Sequence, residues 1–361
     1  MKKHAALLAL ILILMFFGCS AADSGPENAQ ETQVDEIQSI NIEEPKAGEQ
    51  QEGQEELVLS FVGDMMFDKS VAGFIKSKGE DYVFEGYKKH FMESDIVFGN
   101  LETAMSNKGE PMKDKQYTFR SSPKLASYMK KYNFSVVGIA NNHILDYGPL
   151  AFTDTLKLLK ENGISYAGGG YSKQEASQGV ITEKKGTKIG FIAFTRVSPS
   201  VDWYAGAKKP GIIGAYKAHE AEVLEAVKRL EGECDILIVS LHWGKEGSVA
   251  VRKQEAELAH LLIDTGADVI MGHHPHVVQG MEMYKGKPIF YSLGNFFFTT
   301  SRAEICNKTM LVTVRYGNKG ELKSIDAVPG KIGYGRPVPM EEAQKREFID
   351  YLNKMNVDIK L

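Results

Sequence analysis

From Leu57 onward the chain repeats one unit: a short β-branched or apolar run, a polar residue at its end, then a stretch with helical spacing. The runs are LVLSFVGD, DIVFGN, FSVVGIANNH, KIGFIAFTR, DILIVSLHWG, ADVIMGHH and PIFYSLGNF. Between them, AFTDTLKLLKENG and AHEAEVLEAVKRLEGE carry apolar residues at helical intervals and end at Gly163 and Gly232, where a helix terminus favours glycine. RKQEAELAHLLIDTGAD reads the same way, with Ala256, Leu258, Ala259, Leu261 and Leu262 as its apolar face and Gly266 as its stop. His260, inside that helix, reads as structural. Strand-then-helix alternation predicts an α/β fold.

The polar residues at the ends of the runs share a chemistry. Asp64 follows the first; Asn100 and Glu102 close the second; Asn141, Asn142 and His143 the third; His242 the fifth; and His273, His274 and His276 the sixth. In α/β sheets the carboxyl ends of strands form the ligand-binding edge, because the loops that follow are free to carry chemistry. An Asp after a strand also caps helices, and an Asn beside Gly also makes turns. Five such ends together, with imidazole recurring, point instead to a shared site. Oxygen and imidazole donors without thiolate suit Mn²⁺, Zn²⁺ or Fe, as one or two divalent ions.

The first 56 residues differ in kind. Lys2 and Lys3 precede a 13-residue apolar segment, Ala5 to Phe17, shorter than the roughly 20 residues of a spanning helix. Cys19 follows Gly18 at its end, and this resembles a bacterial lipoprotein signal (residues 1–19) in which Cys19 is lipidated; an ordinary signal or an uncleaved anchor is the alternative. The expected location is therefore outside the cell, at the outer face of the membrane. Residues 20–56 hold 11 acidic residues against Lys46, a composition that favours a disordered acidic linker. With the overall charge at −4, residues 57–361 are left at about +4. That mild basicity suits an anionic substrate, and the absence of any basic helix or aromatic-basic interleaving argues against nucleic acid. Cys234 and Cys306 lack CxxC neighbours and read as buried thiols, although an oxidising compartment would permit pairing.

The motifs VGDMMF, GNLET, IANNHILDYG, SLHWGKE, GHHPHVVQG and YSLGNF resemble, in order and spacing, the CapA family of bacterial capsule and poly-γ-glutamate synthesis proteins, a branch similar to calcineurin-like metallophosphoesterases. The resemblance covers about residues 57–300. It implies a four-layer α/β/β/α sandwich, two sheets face to face with helices outside, in a domain spanning 57–330, followed by a C-terminal segment, 331–361, whose helix packs on it. It implies metal ligation by Asp64, Glu102, Asn142, His242, His273 and His276, with Glu102 in the place of a carboxylate that can bridge two ions. His143 resembles the histidine that meets substrate oxygens, Asp146 is placed to orient it, and His274 is left as a neighbour. Two departures bear on the ion count: Met66 stands where the GDxH pattern has histidine, and GHxH gains a residue before His276.

The function this implies is a membrane-tethered, extracytoplasmic role in capsule or poly-γ-glutamate synthesis or export, with a metal-dependent, phosphoesterase-like hydrolytic site. Partners would be an anionic polymer or phosphate-containing substrate, membrane synthase subunits, and the membrane through the lipid anchor. A non-catalytic polymer-binding or assembly subunit is the alternative, and a hydrolase or transferase acting on the amide-linked polymer would use the same site. Ser240 and His242 share one strand with no third partner, which argues against a serine triad. Gly168 to Gly170 lacks a dinucleotide-binding context and reads as a flexible loop. KTMLVTVRYGNKGELKSIDAVPG reads as a hairpin turning at NKG, and MEEAQKREFIDYLNKMN as a helix with Phe348, Ile349 and Leu352 on its apolar face.

Overall fold

The computed structural model describes residues 56–317 and 320–357. The signal segment, Cys19 and the acidic segment up to residue 55 lie outside the described residues.

All seven apolar runs are strands, and they divide between two sheets. In the first, Leu57–Met65 is central, with Ile96–Leu101, Phe134–Gly138 and Ser165–Ala167 following in parallel on one side. On its other side lie Lys308–Tyr316, Leu322–Gly333 and Arg336–Pro339, all antiparallel, while Asn295–Phe297 joins its carboxyl end in parallel. The second sheet runs Met281–Tyr284, Lys287–Phe290, Val269–His273, Ile236–His242, Thr187–Thr195, Val180–Lys184, with its four middle strands parallel.

Because successive side chains on a strand point to opposite faces, each strand feeds two cores. Leu57, Leu59, Phe61, Ile96, Phe98 and Val136 meet Ile189, Phe191, Ile236, Ile238 and Met271 in a core between the sheets. The Phe98 and Phe191 rings stack there at 5.5 Å. The alternate residues Val62, Val97 and Val137 pack under Phe152, Leu156 and Leu159 of the helix Gly148–Glu161 and under Leu125 and Met129 of Leu125–Lys131. On the far side, Leu237, Val239 and Leu241 meet Val227 and Leu230 of Glu220–Glu231 and Leu258 and Leu262 of Lys253–Thr265. Three cores between four layers are the predicted α/β/β/α sandwich. Each fully buried Leu or Phe contributes roughly 1.5–3 kcal/mol to it.

The predicted helix stops hold at Gly163 and Gly266, whose positive φ of 65° and 120° a side chain adopts poorly. Gly232, by contrast, keeps a right-handed φ of −69°. His260 accepts a structural role: its Nε2 lies 2.7 Å from Glu282 Oε1, and its ring stacks on Tyr284 at 3.9 Å. The C-terminal hairpin forms, with residues 318 and 319 of its turn outside the described residues. Leu322–Gly333 and Arg336–Pro339 place residues on both sides of position 330 in one sheet. The helix Glu342–Asn353 sends Phe348 and Leu352 into the core between the sheets, leaving Ile349 half-buried.

One expectation is corrected. Gly169–Gly170 is a short buried strand paired antiparallel with Gly211–Ile212, not a flexible loop. A Cβ on Gly169 would stand 2.7 Å from Ile139, so the glycine there admits close packing. No disulfide joins Cys234 and Cys306. Among the described residues no helix is long and apolar enough to cross a membrane.

Candidate metal centre and its histidine–aspartate pair

Strand register assembles the site. Asp64 lies between Asn100 on one neighbouring strand and Asn295 on the other, and in the second sheet His242 is paired with His273. Two glycines permit this close approach: a Cβ on Gly63 would stand 1.8 Å from the Gly294 carbonyl oxygen, and one on Gly272 would stand 1.9 Å from that of Tyr291.

Asp64 is fully buried. Its carboxylate accepts from Asn100 Nδ2 at 2.8 Å and from the His274 backbone N–H at 3.1 Å, with His276 Nδ1 at 3.3 Å and His273 Nδ1 at 3.5 Å. Burial pushes this carboxyl upward, but the His273 and His276 imidazoles outweigh it and hold it well below its usual range. Glu102 has the opposite fate. Neither of its oxygens has a hydrogen-bond partner, and burial, reinforced by the Asp64 charge, lifts it well above the carboxylate range. His242 Nε2 stands 3.4 Å from Glu102 Oε1 and 2.9 Å from Asn142 Oδ1, and its Nδ1 is 3.2 Å from Asn100 Nδ2. Burial, reinforced by His274, keeps His242 well below its ordinary pKa.

The segment His273–His276 turns sharply. His274 and His276 both adopt left-handed backbone, φ 96° and 58°, on either side of Pro275. His276 Nδ1 is held by Asn295 Oδ1 at 2.8 Å; burial opposes its protonation, yet the Glu102 and Asp64 carboxylates raise it to about 10. His274 is buried, its Nδ1 is without a partner, and burial together with the neighbouring His276 lowers it to about 3.

Ligand atoms of Asp64, Glu102 and His242 come within 4.8 Å of one another, and so do those of Glu102, His274 and His276, making Glu102 common to two groups. A buried polar atom without a partner costs about 1–3 kcal/mol, and several cluster here: both Glu102 oxygens, His274 Nδ1 and both His273 ring nitrogens. Buried oxygen and imidazole ligand atoms converging on one point, several of them without a hydrogen-bond partner, fit a divalent cation. The structure brings every expected ligand to this edge but redistributes the histidines. His274, expected as a neighbour, joins a ligand group with His276, whereas His273 belongs to neither group and lies against Asp64. Met66, in place of the GDxH histidine, is buried, and its Sδ accepts the Asp68 N–H at 3.2 Å.

Beside this cluster stands His143, whose Nδ1 is 2.8 Å from Asp146 Oδ2. Burial lowers its pKa, with Asp146 opposing. Asn141 braces the turn: its Nδ2 donates to Asn100 Oδ1 and the Leu101 carbonyl at 2.9 and 2.8 Å, and its Oδ1 accepts from the backbone of His143 and Ile144. Lys115 reaches Asp146 Oδ1, the Asn142 carbonyl and His143 Nδ1. Sequence reasoning placed Asn141 at the shared edge without a specific task and named neither Asn295 nor Lys115. Asn295 stands within the last apolar run but opens the short strand Asn295–Phe297 instead of ending one, so the strand-end rule does not reach it. Lys115 gives no signal either, being one of several lysines in an irregular segment.

A family model described as bacterial capsule synthesis protein PGA_cap matches residues 58–300. The chain belongs to this family. Within it, the "PGA biosynthesis protein CapA" of Bacillus subtilis is 35% identical over 245 residues, which are 67% of this chain and 63% of that protein, under two thirds of its length. The "Capsule biosynthesis protein CapA" of Bacillus anthracis is 31% identical over 297 residues, 80% of this chain and 71% of that one. A solved phosphatase structure from Mycoplasma pneumoniae aligns at a TM-score of 0.48 and 14% identity, covering 77% of this PGA_cap chain and 94% of the other.

Proposed function

We propose that this PGA_cap protein acts in the synthesis or export of an anionic capsule polymer of the poly-γ-glutamate type, outside the cell and tethered through Cys19, and that its strand-end cluster is a metal-dependent hydrolytic site for phosphate esters. The polymer class is suggested by the two CapA relatives. Membrane synthase subunits are the expected partners. The observation that carries the hydrolytic reading is the pairing of the two ligand groups sharing Glu102 with an adjacent His143–Asp146 pair.

Asp64, Glu102, His242, His274 and His276 would hold the ion, with Asn142 adding its amide oxygen and Mn²⁺, Zn²⁺ or Fe fitting the donor set. A divalent ion held there would supply Lewis acidity toward a phosphoryl or similar oxygen and acidify water. Asp146 engages His143 at Nδ1, which leaves Nε2 to stabilise the departing oxygen or hand it a proton. The low-dielectric surroundings strengthen these contacts, since every one of these side chains except His276 is buried.

The test is metal content and Mn²⁺-dependent cleavage of bis(p-nitrophenyl) phosphate by residues 57–361 and by His143→Ala. Turnover lost in the variant with metal content nearly unchanged supports the reading. Equal turnover in both proteins removes it. A second reading, a polymer-binding or assembly subunit without catalysis, is favoured by Met66 at the GDxH position; metal-free protein that binds poly-γ-glutamate normally would establish it.

A further inference from the structure

Lys115 lies in the irregular segment between Ser106 and Phe119, yet its side chain is only 15% exposed and Asp146, its ion-pair partner, is fully buried. Each polar group it reaches belongs to the single turn that carries His143: the Asn142 carbonyl, His143 Nδ1 at 3.0 Å, and Asp146 Oδ1. Its ammonium sits 5.1 Å from the ring centre of Trp203, which comes from the loop after the second-sheet strand Thr187–Thr195. The two oxygens of Asp146 are thereby divided: Oδ1 goes to Lys115, while Oδ2 receives the Phe119 N–H and faces His143 Nδ1, both at 2.8 Å.

A carboxylate 2.8 Å from a ring nitrogen requires the proton to be on that nitrogen, since two acceptors at that distance repel. The Lys115 ammonium, 3.0 Å from the same nitrogen, has only donors to offer and competes for its lone pair, but Asp146 Oδ2 is nearer at 2.8 Å and Lys115 directs its donors to Asp146 Oδ1 and the Asn142 carbonyl, so Nδ1 is taken as the protonated nitrogen of the neutral ring. Oδ2 is held in front of Nδ1 from two sides, by the Phe119 N–H on Oδ2 itself and by the contact of Lys115 with Oδ1. We propose that Lys115 is a positioning residue for His143: by clamping Asp146 Oδ1 and the Asn142 carbonyl, it holds the imidazole in one tautomer and one orientation against the metal centre. It also supplies the counter-charge that a fully buried carboxylate needs. Trp203 beneath the ammonium ties this clamp to a loop of the second sheet.

The proposal rests on the hydrolytic reading for its kinetic consequence, but not for its structural one, and the experiment separates the two. Metal-free protein labelled with ¹⁵N-histidine reports the His143 tautomer, assigned by its absence in His143→Ala. The unaltered protein should show a protonated Nδ1, and Lys115→Met a mixture of tautomers. In the metal-loaded protein, Lys115→Met should lower kcat on bis(p-nitrophenyl) phosphate about 100-fold with KM changed less than about threefold, as loss of orientation does. If Lys115 acts through Asp146, Lys115→Met in an Asp146→Asn background should add almost nothing further. An unchanged tautomer in Lys115→Met, or fully additive losses in the double variant, would overturn the proposal. Should the Met variant not fold, Lys115→Gln, which keeps an N–H donor, carries the same cycle. A protein with no turnover at all removes the hydrolytic reading and leaves the tautomer comparison to decide on Lys115.

Discussion

His242 Nε2 stands 3.4 Å from Glu102 Oε1, beyond hydrogen-bonding distance, with both side chains 1% exposed. Glu102 Oε1 has no hydrogen-bond partner there, because His242 Nε2 faces the Asn142 Oδ1 acceptor at 2.9 Å instead. The environment of Glu102 lifts its pKa and that of His242 lowers its own, so each is pressed toward its neutral form. A divalent ion removes that penalty for both.

Glu102→Gln should therefore abolish the stabilisation that Mn²⁺ confers, while changing stability in chelator by less than about 1 kcal/mol, because a buried neutral acid gives way to a neutral amide of the same shape. Thermal unfolding with EDTA and with Mn²⁺ measures both. An Mn²⁺-induced shift as large as in the unaltered protein would show that Glu102 is not a ligand.

His274 gives a pH dependence. Burial lowers it to about 3 in the folded metal-free protein, whereas the unfolded chain takes up a proton below its ordinary 6.5. The unfolded state thus binds more protons between these values, so stability present above 6.5 is lost as pH falls toward 3. At pH 5 the loss from this group is roughly 2 kcal/mol. Urea unfolding in EDTA at pH 7.5 and pH 5 should show His274→Asn losing that much less on acidification. An identical pH slope in the two proteins would contradict the assignment.

Asn141 makes four bonds, two donated and two accepted, while fully buried. Asn141→Ala should destabilise the fold by about 2–4 kcal/mol, since partners in both neighbouring segments are left unsatisfied. Urea midpoints at constant m-value give the figure, and a loss below about 0.5 kcal/mol would mean that solvent replaces these bonds.

Gly63→Ala and Gly73→Ala should have opposite signs. A Cβ at Gly63 meets the Gly294 oxygen at 1.8 Å, which forces the central strand away from the site and should cost roughly 4 kcal/mol or more. At Gly73, inside the helix Lys69–Lys78, nothing lies within 4 Å, and alanine should stabilise by about 1 kcal/mol. Equal melting temperatures for the two variants would refute the packing described around Gly63.

Much of the site was legible because strand ends carry it. Asp64, Glu102, Asn142, His143 and His242 follow apolar runs, and the strand-end rule needs only local pattern. The division among His273, His274 and His276 was not legible, because it depends on the left-handed turn about Pro275 and on Asn295 reaching His276 from a strand of the other sheet. Lys115 was invisible for the same kind of reason: its partners are on a turn distant in sequence, and a long flexible side chain reveals no direction in its neighbours' pattern.

Periodicity, with its two-residue and 3.6-residue repeats, determined from sequence alone that this chain alternates strands and helices, and strand polarity determined which edge bears the chemistry. Which imidazoles come within reach of Glu102, which carboxylate stands unpaired and which lysine reaches Asp146 were decided only by the tertiary packing. Those contacts join residues through burial and register between distant strands, and no local spacing encodes them.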